Sequence, residues 1–440
     1  MSTPQSEIEK PAPELSPWHP SQYPDGGLQA WLVVAGAFCC VFCSFGWINC
    51  TLYSLISDTD HPLIDTGGIG VFQNYYEAHQ LQQYSASDIS WIASLELFIM
   101  FSGGPIIGRV YDRQGPRYLL LFGTVMHVFG LMMASLGTEY FQILLAQGIC
   151  SSIGLSCLFT PATYCTLTWF HRRRGLAMGI ISAGSSLGGV IFPIMLNHLI
   201  PDVGFSWAIR IAAFLILAML IFSNLTVCSR IPPSPKNLRL IDYVNPLRER
   251  VYLLTSIGSF LFYLGMFLPI DYIQLQATAY GMRPDLGNYL IPILNAASLF
   301  GRVLPGWLGD RVGTYNVQIL MSVFSGTLAL ALWIPARGNA GMMVFAALYG
   351  FGSGAFVSLL PAMIARISDM KEIGTRTGVE FAIMSVAALV SNPIGGALIR
   401  YDPVDFTYLQ IFCGVVLLGG AFFFSLARIA LAGPRLMHKV

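Results

Sequence analysis

The chain of 440 residues is 55% hydrophobic and only 11% charged, with a net charge of +1 and a mean hydropathy of +0.62. A soluble globule could not bury this much apolar surface, so the composition indicates a membrane protein and excludes a soluble one. The small net charge gives no reason to expect a nucleic-acid partner. ATP hydrolysis is not expected, because no lysine follows a glycine-rich loop.

Apolar runs alternate with short polar turns along the chain. Residues 1–27 are rich in proline and polar side chains, which predicts a disordered cytoplasmic tail rather than a signal peptide. A helix needs about 20 apolar residues to cross a bilayer, and about twelve runs meet that length. They lie at 28–55, 88–109, 117–137, 140–168, 174–199, 205–228, 251–278, 285–308, 315–335, 340–366, 374–399 and 406–429.

A polar, proline-rich stretch at residues 230–250 separates the sixth run from the seventh. It predicts a cytoplasmic linker between two six-helix halves, 28–229 and 251–430, with a short cytoplasmic tail at 431–440. Most of the 24 Lys and Arg side chains fall on the linker's side of the runs. The positive-inside rule therefore places both termini in the cytoplasm, and we expect the plasma membrane.

Two charged stretches repeat between apolar runs, at residues 108–117 and 306–313, and we interpret each as a turn that reverses the chain. The first resembles the loop between the second and third helices of the major facilitator superfamily, although Pro116 replaces one basic residue of that pattern. The matching residues are Gly108, Asp112, Arg113, Gly115 and Arg117, with Gly309, Asp310 and Arg311 in the weaker second copy. The resemblance implies an all-α major facilitator fold and a role for these residues in conformational change.

The start of the first apolar run resembles one particular family within that superfamily. Residues 24–27 (Pro-Asp-Gly-Gly) form a turn by their composition, and with Trp31 they resemble the opening motif of the monocarboxylate porter family. Members that carry small monocarboxylates with a proton have charged residues at positions that fall here near Asn49 and at Ser298, both neutral. Simple proton–monocarboxylate symport is therefore not expected. Fungal members with similarly neutral positions include exporters of secondary metabolites.

Three ionisable residues lie deep in predicted spans, where a charge costs about 3 kcal/mol and needs a partner or a wet cavity. Arg302 matches an arginine that binds the substrate carboxylate in the porter family; alternatively it reaches the loop or pairs with Asp310. Glu96 carries a proton or pairs with a cation, or it is satisfied by neighbouring hydroxyls. Asp271 follows the helix-breaking Pro269 and lines a cavity, unless span seven ends early and leaves it near water.

These observations predict a secondary transporter that moves a small organic molecule by alternating access, with Asn49 and Asn295 as further polar candidates for its site. A proton is the candidate coupling ion. We expect a monomer in the lipid bilayer with no cofactor, metal or catalytic centre, since no catalytic motif lies at a span boundary. The alternative function is a transporter-derived receptor or a non-transporting protein.

A final stretch departs from the porter family. Family members run from a Gly-Trp-x-Asn segment almost directly into Gly-Val-Phe-Gln-x-Tyr-Tyr, and here residues 51–68 intervene. The insert is too short and too polar to cross a bilayer. It is either a longer extracellular loop or a retained intron translated in frame. The second hypothesis predicts that Tyr75 and Tyr76 leave the cavity wall and that deleting residues 51–68 improves transport.

Overall fold

The computed structural model describes residues 22–51, 72, 75–232, 241–401 and 405–433. Within these ranges the chain forms helices and turns, with twelve long helices that we number α1 to α12. They are α1 (Leu28–Cys43, continued as Phe45–Thr51), α2 (Ala86–Ser102, continued as Gly104–Gln114), α3 (Arg117–Ala134), α4 (Tyr140–Trp169), α5 (Arg174–Val203), α6 (Phe205–Thr226), α7 (Arg250–Met266, continued as Leu268–Ala279), α8 (Leu290–Val312), α9 (Thr314–Trp333), α10 (Asn339–Arg366), α11 (Ile373–Tyr401) and α12 (Thr407–Ala432).

Eleven candidate membrane-crossing helices stand out by length and apolarity in the described part of the chain. The remaining long helix, α8, carries Arg302, Asp310 and Arg311 in its second half. The predicted all-α membrane protein with about twelve spans is confirmed. Between α6 and α7, residues Ile241–Arg248 form a short helix inside the stretch predicted as a plain linker.

The two charged stretches are helical, so their interpretation as turns was wrong. Helix α2 continues to Gln114, and the chain reverses only at Gly115, whose φ is 80°. Helix α8 likewise continues to Val312 and ends at Gly313, with φ of 112°. Both φ angles lie in the left-handed region, which glycine adopts without a steric cost. The charged residues before each glycine are compatible with helical backbone angles.

The two halves meet along two helix pairs, α2 with α11 and α5 with α8. Backbones approach closely at glycines: a Cβ on Gly108 would lie 2.2 Å from the carbonyl oxygen of Gly374, and one on Gly306 would lie 2.2 Å from that of Gly175. No larger side chain fits at these crossings, as in other small-residue helix interfaces. The halves are therefore in tight contact on the side that carries Gly115 and Gly313, which we call the Asp112 side.

The last residues of the predicted tail, 22–27, are packed against the turn between α4 and α5. The Asp25 carboxylate accepts hydrogen bonds from the backbone N–H groups of His171 (2.7 Å), Arg172 (2.7 Å) and Arg173 (3.4 Å). Partial burial and the nearby Arg174 lower the pKa of His171. The prediction of a tail without structure was wrong for this segment, because three consecutive N–H groups bind one carboxylate.

Apart from Thr51, the predicted insert lies outside the described residues, so the choice between a loop and a retained intron stays a prediction. The expected departure of Tyr75 and Tyr76 from the cavity wall also stays a prediction. The Tyr76 side chain is buried, and its hydroxyl donates to Gln147 Oε1 at 2.9 Å. Phe205 of α6 stacks on Tyr75 with ring centroids 4.0 Å apart. Both tyrosines therefore pack into the amino-terminal half.

Candidate functional site

The centre of the molecule is organised around Arg302, which is 5% exposed on α8. Its guanidinium donates to the Ser182 carbonyl oxygen at 2.6 Å and to the Ser185 hydroxyl, both on α5, and to Ser298 Oγ at 3.2 Å on its own helix. Asp310 lies eight residues further along α8, about 12 Å away by helix geometry. Arg302 therefore connects the two halves at depth, and the alternative that it reaches for the helix end is wrong.

Asn49 and Asn295 lie beside this arginine. Asn49 Nδ2 donates to the Ser185 carbonyl oxygen at 3.2 Å. A Cβ on Gly189 of α5 would lie 3.1 Å from the Asn49 Cβ and 3.2 Å from the Asn295 Cγ, so the two amides flank the same glycine. A small cavity opens between the halves here, lined by Phe45, Asn49, Met266, Phe267, Ile270, Leu294, Asn295, Ser298, Arg302, Ser353, Gly354 and Val357. The structure brings together three of the five candidates.

Glu96 lies outside this cavity, within the amino-terminal half. Its side chain is fully buried on α2, and Gln147 Nε2 of α4 approaches its Oε2 at 3.4 Å. Gln147 in turn accepts the Tyr76 hydroxyl bond. One partner of Glu96 is thus the Gln147 amide, and Glu96 belongs to a polar network between α2 and α4.

Asp271 occupies the second segment of α7, one turn beyond the break between Met266 and Leu268. It is 7% exposed, and α7 continues to Ala279. The alternative that span seven ends early and leaves Asp271 near water is therefore wrong. The break itself agrees with the position of Pro269, which cannot donate a backbone hydrogen bond.

A third buried carboxylate, Glu380 on α11, was missed by the sequence interpretation. Ser256 Oγ of α7 donates to its Oε2 at 2.6 Å. One turn earlier, Arg376 pairs with Glu249 and lies 5.2 Å from the Tyr252 ring centroid. The signal was available, because Glu380 interrupts an apolar run as Glu96 does. Arg376 was counted as a basic residue of the membrane surface, whereas only the tertiary structure shows that it is buried.

The two aspartates of the charged stretches each bind the first turn of a helix in the opposite half. Asp112 accepts bonds from the N–H of Gly374 (3.2 Å), the N–H of Thr375 (2.9 Å) and the Thr375 hydroxyl (2.9 Å), at the start of α11. Asp310 accepts bonds from the N–H groups of Gly175 (2.7 Å) and Leu176 (2.8 Å), at the start of α5. A carboxylate is stabilised there by unpaired N–H groups and the helix dipole.

The other residues of the charged stretches have different surroundings. Arg113 and Arg117 are exposed beside the turn at Gly115. Arg311 lies over the Trp307 ring at 3.8 Å from its centroid. Gly309 faces Leu359 of α10, since a Cβ there would lie 3.0 Å from Leu359 Cδ2. The two aspartates of the charged stretches thus form hydrogen bonds directly to the opposite half.

Twelve helices in two halves, a polar cavity between the halves and crossed aspartate contacts at one membrane face define a transporter that works by alternating access. A family model described as Major Facilitator Superfamily matches residues 34–340 and 251–436. The chain belongs to this superfamily.

Similar proteins and solved structures agree with this superfamily assignment. The chain is 61% identical to an "MFS-type transporter 1" of Ophiocordyceps sp. (strain BCC 1869), over 99% of this chain and 93% of that protein. It is 44% identical to the fujikurins efflux protein of Gibberella fujikuroi (strain CBS 195.34 / IMI 58289 / NRRL A-6831), over 96% and 87% of the two chains. The crystal structure of the major facilitator transporter FucP in the outward conformation superposes with a TM-score of 0.69 at 13% identity, covering 90% and 98%.

These matches confirm the predicted superfamily and the predicted transport function, and they extend over nearly the whole chain. The narrower assignment to the monocarboxylate porter family stays a prediction.

Proposed function

We propose that this protein exports a small organic acid of secondary metabolism, and that Arg302 binds the acid's carboxylate. The relative named for fujikurins efflux supports the direction of transport. The observation that carries the proposal is the position of Arg302, a buried cation that faces a cavity between the halves. The cargo leaves the protein chemically unchanged, so the activity is transport and not catalysis.

The contacts of Arg302 suggest how substrate binding and conformational change are linked. Its guanidinium holds neutral oxygens of Ser182 and Ser185 on α5, and these bonds tie α8 to α5. A substrate carboxylate offers two charged acceptors in the planar geometry that a guanidinium matches, and such bonds are about twice as strong as neutral ones. Substrate binding therefore competes with a contact between the halves and favours their rearrangement.

The two aspartate contacts hold the Asp112 side closed, and breaking them opens the central cavity to that side. We place this side in the cytoplasm, because most of the Lys and Arg side chains flank the long helices on this side. Cargo entering from the cytoplasm would then meet Arg302 once the aspartates release α5 and α11. We further propose that the protein is a monomer of the plasma membrane with its two halves divided at residues 230–250.

Uptake into vesicles tests the carboxylate site. Purified protein is reconstituted into liposomes, and exchange of radiolabelled benzoate is compared with exchange of its uncharged methyl ester, with protein-free liposomes as the background. We expect protein-dependent exchange of benzoate and none of the ester. Equal exchange of both would show that the site does not select a carboxylate.

Arg302→Lys provides the matching variant. Lysine keeps the positive charge but loses the planar pair of donors, so benzoate exchange should fall by at least about tenfold while the protein stays folded. Arg337→Lys is the control, because Arg337 is exposed and pairs with Asp405 at the opposite face. Normal exchange by Arg302→Lys would remove the arginine from the substrate site.

A further inference from the structure

A basic cleft opens between the two halves on the Asp112 side, beside the Asp310 contact. Its volume is about 980 Å³, within the size range of small-molecule sites. Both of the Asp310 carboxylate oxygens are bound by N–H groups of α5. The described lining sets that one aspartate against arginines from both halves: Arg172, Arg173, Arg174, Arg311 and Arg366. An excess of positive charge in a cleft of this size suits an anion with several negative charges.

The segment that precedes α1 builds one wall of the cleft. Asp25 binds the backbone N–H groups of residues 171–173, which fixes the turn that carries the first arginines. Tyr23 is buried in the lining, and two guanidinium groups lie over its ring, that of Arg174 at 5.4 Å and that of Arg230 at 4.7 Å from the ring centroid. These contacts hold like charges close together, so the cleft is organised for an anion before one binds.

The hydroxyl groups of Thr314 and Ser368 are the polar, uncharged groups of the lining that remain to be satisfied. Thr314, the first residue of α9, is 7% exposed, and Ser368 lies in the connection between α10 and α11. Each hydroxyl oxygen is buried and has no hydrogen-bond partner among the described residues. Buried polar groups are nearly always hydrogen-bonded, so both hydroxyls are available to a ligand. As O–H donors they suit phosphate oxygens, which guanidinium groups also bind.

The outer face of α8 next to the cleft is apolar and exposed. Phe300, Leu304 and Trp307 follow one another at spacings of four and three residues, which places their exposed side chains on one face. Arg311 continues this face, with its guanidinium over the ring of Trp307, which itself lines the cleft. Such a face contacts acyl chains in a bilayer, and tryptophan and arginine lie at the level of the headgroups. A lipid whose chains lie along α8 would therefore place its headgroup in the cleft.

We propose that this cleft binds the headgroup of a phospholipid with several phosphate groups, of the phosphatidylinositol phosphate class, and that the lipid favours closure of the Asp112 side. Basic pockets between membrane helices on the cytoplasmic side bind such headgroups. The arginines of the two halves repel one another where the halves meet, and a polyanion between them removes this repulsion. The proposal goes beyond export of an organic acid, because it assigns a regulatory ligand that comes from the membrane.

Amide hydrogen exchange of the reconstituted full chain tests the site. The liposomes contain phosphatidylcholine alone, increasing amounts of a phosphatidylinositol bisphosphate, or enough phosphatidylserine to give the same lipid charge. We expect the bisphosphate lipid to slow amide exchange at Gly175, in the first turn of α5, at least about fivefold more than phosphatidylserine does. The lipid fraction that gives half of this effect reports the affinity of the site.

Variants locate the lipid. Arg172→Gln combined with Arg173→Gln should raise the half-effect fraction about thirtyfold, since each basic residue beside an anionic headgroup contributes about fivefold. Thr314→Val keeps the charge and the shape, and should raise it about tenfold through the loss of one hydrogen bond to a phosphate. The matched control combines Arg113→Gln with Arg117→Gln, which removes two exposed charges from the same face outside the cleft. Its half-effect fraction should equal that of the wild type.

Three results would overturn the proposal. Equal protection by phosphatidylserine would reduce the interaction to attraction by surface charge. Equal losses in the two double variants would place the lipid outside the cleft. Protection by soluble inositol trisphosphate, in phosphatidylcholine alone, as strong as that by the lipid would mean that the site binds a free phosphate compound. Since no organic acid is present, these readings are independent of the benzoate experiment, and a failure of carboxylate transport would leave them unchanged.

Discussion

The two aspartate contacts between the halves have the same geometry but different surroundings. Each uses a carboxylate in the last turn of one helix to bind the first turn of a helix in the other half. The Asp112 contact has three donors, because the third residue of α11 is Thr375 and its hydroxyl joins the two N–H groups. The Asp310 contact has two, because the equivalent residue of α5 is Leu176.

The charged residues around the two aspartate contacts also differ. Arg172 and Arg173 precede α5 and Arg174 begins it, and all three line one cleft with Asp310. The turn before α11 carries the acidic residues Asp369 and Glu372 beside a single lysine, Lys371. One contact thus relies on an additional hydroxyl group, and the other on a positive neighbourhood. Duplication preserved the geometry while the supporting interactions diverged.

The largest effect is expected from filling the helix crossings next to the aspartates. Gly108→Leu and Gly306→Leu each place a side chain where a backbone carbonyl oxygen lies 2.2 Å from the added Cβ. Both variants should be unable to close the Asp112 side. Amide hydrogen exchange at the first turns of α5 and α11 should become faster in both, and benzoate exchange should be lost.

Gly396→Ala is the matched control for these variants. It lies on α11, and its added Cβ would meet only the Tyr272 hydroxyl at 3.7 Å. Its exchange pattern should equal that of the wild type. If Gly108→Leu left both first turns protected, the tight crossing would not be needed for closure.

An intermediate effect is expected from neutralising the carboxylates. Asp112→Asn and Asp310→Asn keep the shape but lose the charge that favours a helix amino terminus, at a cost of about 1 kcal/mol each. That energy corresponds to about fivefold faster amide exchange at Gly374 for the first variant and at Gly175 for the second. High salt screens charges, so in the wild type it should speed amide exchange more at Gly175, where the arginines contribute to the Asp310 contact, than at Gly374.

Arg113→Gln is the control for the neutralised carboxylates, since Arg113 is exposed and adjacent to Asp112. Its exchange rates should stay within about twofold of the wild type, because an exposed charge contributes little to stability. Unchanged protection in both asparagine variants would show that packing alone holds the halves together.

The smallest effect is expected from removing the hydroxyl group that distinguishes the Asp112 contact from the Asp310 contact. Thr375→Val removes the hydroxyl while keeping the volume and both N–H groups, which leaves the Asp112 contact with two donors, as at Asp310. We expect about 1 kcal/mol of loss at this contact and none at the other. Leu176→Thr is the reciprocal change. If Thr375→Val behaved as the wild type, the hydroxyl would not contribute to the Asp112 contact. The two contacts would then differ only in the charges around them.

The sequence was sufficient for the class of protein. Apolar runs of bilayer length, the division near residues 230–250 and the repeated Gly-x-x-x-Asp-Arg pattern predicted a twelve-helix transporter, because covering the bilayer interior constrains composition directly. The same reasoning found Arg302, Glu96 and Asp271, since any ionisable residue inside an apolar run is conspicuous. It should have found Glu380 in the same way.

Partners were decided by the tertiary structure alone. The pattern around Asp112 and Asp310 gives no sign that each carboxylate reaches a helix more than 130 residues away, at Gly374 and Gly175 respectively. The depth of Asp271 likewise depends on which helices pack against α7. Hydrophobicity is a property of each residue and can be read locally, whereas a hydrogen-bond partner depends on how the two halves meet.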